Sequence, residues 1–134
     1  MTESVAVCDD GVIVATILIE VGISPSLQGF NYLKDAILLY KKYNGVMKDV
    51  IKEVAKKNDA SHFKIEKAMR FALNDARDRS DFNRLNATLQ IEYIKPNTTI
   101  SAKEFIVLIS EYINNDYFRN EILKKTLKNL NNRK

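Results

Sequence analysis

The chain has one cysteine (Cys8), one histidine (His62), no tryptophan, four glycines and two prolines in 134 residues. A lone cysteine cannot form an internal disulfide, and one His with one Cys leaves no cluster with zinc-ligand spacing. No metal, cofactor or small-molecule substrate is therefore expected. The scarcity of glycine and proline, with 46% hydrophobic and 28% charged residues, describes an ordered globular chain of one-domain length. Basic residues are missing from Met1 to Gly11, which instead hold Glu3, Asp9 and Asp10, so a positive signal-peptide start is absent. The apolar run Val12 to Ile19, broken only by Thr16, is too short to cross a bilayer. These absences place the protein in the cytoplasm, away from membranes. Phosphate loops, nucleophile elbows and paired carboxylates are also missing, so no catalytic residue is assigned and the chain reads as a non-enzyme.

The net charge of +4 is unevenly placed. Six basic residues (Arg119, Lys124, Lys125, Lys128, Arg133, Lys134) against Asp116 and Glu121 put all of it in the tail 114–134. Residues 1–113 then carry fifteen charges of each sign, and bulk charge does not argue for a nucleic-acid partner there. The division is an N-terminal segment 1–11, a core domain 12–113 and a basic helical tail 114–134.

What the chain does have is helical periodicity. Val12 to Val21 is almost wholly apolar and stops at Gly22, a C′ residue followed by Ser24-Pro25-Ser26, which predicts a buried helix. Gly29 to Tyr43 carries Phe30, Leu33, Ile37 and Tyr40, widened by Leu38 and Leu39, and ends near Asn44-Gly45. Gly45 to Lys57 sets Val46, Val50, Ile51, Val54 and Ala55 against Lys48, Lys52 and Lys56. Asn58 to Ser61 then offers Asp59 or Ser61 as an N-cap. Two helices joined by so short a turn predict a helix-turn-helix between about Gly45 and Arg79.

Ser61 to Arg79 has the clearest pattern. Ile65, Ala68, Met69, Ala72, Leu73 and Ala76 form one stripe, and its three alanines allow close packing. At about 100° per residue, Lys64, Lys67, Phe71 and Asn74 lie opposite, flanked by Glu66 and Arg70. On pattern alone such a face is an ordinary solvated helix side. Phe82 to Leu89 reads as a short helix and Leu89 to Ile94 as an extended stretch. Ser101 to Glu104 matches a capping box, leading into a helix with Phe105, Leu108, Ile109 and Tyr112 or Ile113 inward. Tyr117 to Leu130 suits one more helix. The expected fold is all-α, a compact bundle of about six helices containing a helix-turn-helix, with a C-terminal helical extension.

Two stretches resemble the C-terminal DNA-binding effector domain of the master response regulator of sporulation initiation in endospore-forming bacteria. One runs Ile19-Glu20-Val21-Gly22, then Gly29-Phe30-Asn31-Tyr32-Leu33 to Ala36-Ile37. The other is Val54-Ala55-Lys56-Lys57, followed by Ile65-Glu66-Lys67-Ala68-Met69-Arg70-Phe71-Ala72-Leu73. Glu104-Phe105-Ile106 echoes the family's last helix.

The resemblance, spanning roughly Val12 to Ile113, implies a transcription regulator that binds double-stranded DNA in the major groove, often as dimers on tandem sites. It implies base contacts from Lys64, Glu66, Lys67 and Phe71, and phosphate contacts from Lys56, Lys57, His62 and Arg70. Lys64 and Lys67 stand where the family has arginines, and Phe71 where it has a histidine. Arginine grips guanine bidentately whereas lysine is a flexible point charge, so the target sequence is expected to differ from the family's own. The receiver domain of family regulators is not expected, leaving a stand-alone effector. The alternative is a protein-interaction module derived from a DNA-binding domain, dimerising or modulating a full-length regulator through Phe71 and the tail.

Overall fold

The computed structural model describes residues 2–80 and 100–114, and these form five helices with no strand among them. The helices are α1 (Thr2–Glu20), α2 (Gln28–Tyr40), α3 (Met47–Lys57), α4 (His62–Ser80) and α5 (Ala102–Asn114). The described helices number five, against the expected six or so. The helix expected at 82–89, the extended stretch at 89–94 and the tail helix at 117–130 lie outside the described residues.

Three helix ends share one device. Ile23 N–H donates to Leu18 O and Gly22 N–H to Ile19 O, closing α1 with Gly22 at φ 100°. Gly45 N–H to Tyr40 O and Asn44 N–H to Lys41 O do the same for α2, with Asn44 at φ 53°. Ala60 N–H to Ala55 O and Asp59 N–H to Lys56 O repeat it after α3, with Asp59 at φ 50°. Each pairing satisfies carbonyls that the last turn would otherwise leave without a donor, and each needs a left-handed residue that Gly, Asn or Asp tolerates. Asp59 is thus the terminator of α3. The N-cap of α4 is Ser61, whose Oγ accepts from Lys64 N–H at 3.1 Å.

The first helix starts ten residues before the expected Val12. Thr2 to Gly11 lacks an apolar stripe and contains a glycine, but extending a nucleated helix costs little per residue, so the backbone continues through Gly11. Nor is α1 buried all round: Val12 and Ile19, seven residues apart, are 46% and 49% exposed.

Helix α2 packs against each of the other four and carries the middle of the core. Phe30, Tyr32, Leu33, Ala36 and Ile37 are buried, whereas Leu38 lies on the exposed side. Against them sit Ile13, Val14, Ile17 and Leu18 of α1, Val50, Ile51 and Val54 of α3, and Phe105, Ile106 and Ile109 of α5. In α5 Ile113 is buried, with Tyr112 half-buried beside it. The capping box forms as read: Ser101 N–H donates to Glu104 Oε1 and Glu104 N–H to Ser101 Oγ, both at 3.1 Å. The Ser101 N–H, and after it the Ser101 hydroxyl, hydrogen-bond the Glu104 carboxyl and hold it below its ordinary pKa. The Tyr40 hydroxyl donates to Glu111 Oε2 at 3.3 Å, tying α2 to α5.

Helices α2 and α4 approach each other closely at Gly29. A Cβ built on Gly29 would fall 2.2 Å from Ala68 O and 2.7 Å from Ala72 Cβ. Small residues on both helices let the backbones meet there. At its far end α4 is held by Arg79, whose Nη2 donates to Gly22 O at 2.6 Å and to Asp75 Oδ2 at 2.9 Å.

Candidate nucleic-acid interface

The buried stripe of α4 fixes which side chains face outward. Ile65, Met69, Ala72, Leu73 and Ala76 are all at most 1% exposed. Lys64, Glu66, Lys67, Arg70 and Phe71 are consequently exposed, and Asn74 is intermediate. The structure brings the four expected base-contacting residues and Arg70 onto one helix surface. Phe71 is 61% exposed.

This surface has two flanks. Lys64, Lys67, Ala68 and Phe71 line one groove with Ser26, Leu27, Gln28 and Gly29, the turn into α2. Its volume is about 380 Å³. On the other side, Glu66, Arg70 and Asn74 face Ile100 to Glu104 at the start of α5 across a cleft of about 480 Å³. Nearer the start of α4, His62 and Glu66 share a cleft with Met47, Lys48 and Ile51 of α3 and with Lys103. Two exposed lysines distant in sequence, Lys48 and Lys103, thus border the Glu66 side of α4.

The expected phosphate contacts are not all equivalent. Lys56 and His62 are exposed. Lys57, also exposed, is engaged: its Nζ lies 3.3 Å from Asp35 Oδ1 of α2, and Asn58 Nδ2 donates to Asp35 Oδ2. An exposed pair of this kind is worth little and can be exchanged for another anion.

Sequence reading passed over Phe63 and Lys103, and put Lys48 on the outer face of α3 without assigning it a contact. Phe63 is 71% exposed in the first turn of α4, and Lys67 Nζ sits 5.9 Å from its ring centroid. The helical wheel carries the signal for Phe63, which falls between Lys67 and Arg70 in projection. For Lys48 and Lys103 no local signal exists, because only packing brings α3, α4 and the start of α5 together. Among the described residues no cluster of three or more His, Cys, Asp or Glu is placed to hold a metal.

The fold and this surface define a small all-helical domain that presents a basic, aromatic helix face with clefts on either side. A family model described as the C-terminal domain of the sporulation initiation factor Spo0A matches residues 14–113, and the chain belongs to that family. The family is a DNA-binding effector domain of a sporulation regulator and not a known enzyme family. Among curated proteins no sequence matches the chain. No helix among the described residues is long and apolar enough to cross a membrane.

Proposed function

We propose that this chain is a sequence-specific double-stranded DNA-binding protein, a cytoplasmic transcription regulator, with α3, the turn 58–61 and α4 acting as a helix-turn-helix. The observation that carries the reading is the outward face of α4 in a member of this family: Lys64, Lys67, Arg70 and Phe71 exposed, directly opposite a stripe that is fully buried. Such a helix can enter the major groove, which is about 12 Å wide, without unfolding its own core contacts.

In this reading Lys64 and Lys67 donate to guanine O6 or N7, Glu66 accepts from cytosine N4, and Phe71 meets a thymine methyl. Lys56, Lys57, His62 and Arg70 contact phosphates, joined by Lys48 and Lys103 beside the Glu66 flank. Two copies bind tandem sites. Selection of bound sequences from random duplex DNA tests the reading directly, with a consensus expected. Replacing Lys64 and Lys67 together by alanine should lower specific affinity at least tenfold, since each good base contact is worth about 1–3 kcal/mol. Unchanged affinity, with the helical circular dichroism intact, would remove this face from the interface.

A second reading, a protein-interaction module derived from a DNA-binding domain, draws on the groove that joins exposed Phe71 to Leu27 and on the neutral charge of residues 1–113. Failure to retard mixed duplex fragments at low salt, together with co-purification of a full-length regulator, would favour it.

A further inference from the structure

We infer that Phe63 reads a thymine C5 methyl group and sets sequence preference in this domain, an inference resting on α4 being the reading helix. Phe63 is the most exposed large hydrophobic residue among those described, at 71%. Phenylalanine is normally among the residues a fold buries, and this one lies in the turn of α4 that leads into the groove. It lies outside the buried stripe of Ile65, Met69 and Leu73 and takes no part in the core. A phenyl ring has no donor for a phosphate. On the major-groove edges of the four bases the thymine C5 methyl is the one apolar group, and it is the natural match for an apolar side chain on this surface.

The position of that thymine follows from Lys67. Its ammonium lies 5.9 Å from the Phe63 ring centroid, within cation–π range. The ring restricts the lysine stem and sets an apolar contact beside a hydrogen-bond donor. Successive bases are spaced about 3.4 Å along the helix axis. The contact therefore places the thymine about one or two base pairs from the guanine that accepts from Lys67. A pair of this kind narrows the readout that a lone flexible lysine would leave loose.

The test uses the full chain and the duplex obtained by selection, with each thymine replaced in turn by deoxyuridine, which removes only the methyl. Besides any thymine read by Phe71, one position should weaken binding by about fourfold, the value of one buried methyl-sized group. In Phe63→Ala that difference should vanish, in Phe63→Leu it should largely persist, and in Phe71→Ala it should be unaffected. Because the side chain is exposed, all three variants should keep the helical spectrum and unfolding midpoint of the parent. A duplex bound equally well with every thymine demethylated, or methyl dependences that all survive in Phe63→Ala, overturn the inference while leaving α4 as the reading helix. A chain that retards no duplex overturns both.

Discussion

One substitution, glycine to alanine, should act with opposite sign at two positions of this fold. At Gly29 the added Cβ would lie 2.2 Å from a backbone oxygen of Ala68, whereas contacts under 3.0 Å are essentially never seen. The obstacle is main chain, so no side-chain rotation relieves it. Restoring ordinary contact requires α2 and α4 to part by about 1 Å, and a gap of that size forfeits roughly a quarter to a half of each dispersion well along the interface. With overpacking typically costing about 1–3 kcal/mol, Gly29→Ala should destabilise by about 2 kcal/mol, lowering the thermal midpoint by roughly 6–10 °C.

At Gly11, within α1, the added Cβ meets nothing nearer than Lys34 Cε at 4.0 Å. There the change only removes backbone freedom from the unfolded chain and should stabilise by about 0.5–1 kcal/mol. Chemical denaturation followed by circular dichroism measures both, with unchanged m values indicating that compactness is not at issue. Because Gly29, Ala68, Lys64 and Lys67 line one groove, Gly29→Ala should also weaken DNA binding when measured on folded protein. A Gly29→Ala variant as stable as its parent would refute the close α2–α4 approach.

Other outcomes follow from named contacts. The lowered Glu104 pKa means that the capping-box contribution is fully present above the ordinary glutamate range and lost as pH falls through the folded value. Acid titration of Glu104→Gln, which keeps the acceptor but not the charge, should show that part of the pH dependence flattened, and a profile identical to the parent's would argue against it. Lys103→Ala should reduce the slope of log affinity against log salt by about 1 and weaken all sequences alike; a sequence-selective loss would make it a base contact instead. Arg79→Ala removes the donor to Gly22 O and should cost about 1 kcal/mol in urea unfolding, less than a buried charged bond because the side chain is half exposed.

The helix faces and the ends of the chain's helices were legible because the forces behind them act within five residues. The stripe from Ile65 to Ala76, Gly22 at the end of α1, and the Ser101–Glu104 box are all local patterns of burial or hydrogen bonding. The family, too, was carried by contiguous residues. Locality also explains what was left open or missed. Asp59 and Ser61 are both good caps by type, and only backbone dihedrals show Asp59 ending one helix while Ser61 begins the next. Thr2 to Gly11 has no stripe to read, yet the backbone carries the helix through it.

By itself, then, the sequence determined the helical character of the described residues, the buried and outward faces of α4, and a kinship with DNA-binding effector domains. Tertiary structure decided what surrounds that outward face. It set Lys48 and Lys103 on one flank and the turn into α2 on the other, and drew Lys57 onto Asp35, twenty-two residues away. It brought Gly29 against Ala68 and tied Arg79 to Gly22 across fifty-seven residues. The physical reason is that periodicity records only whether a side chain faces apolar surroundings. Which helix supplies those surroundings, and how close it comes, is settled when the packed side chains interlock.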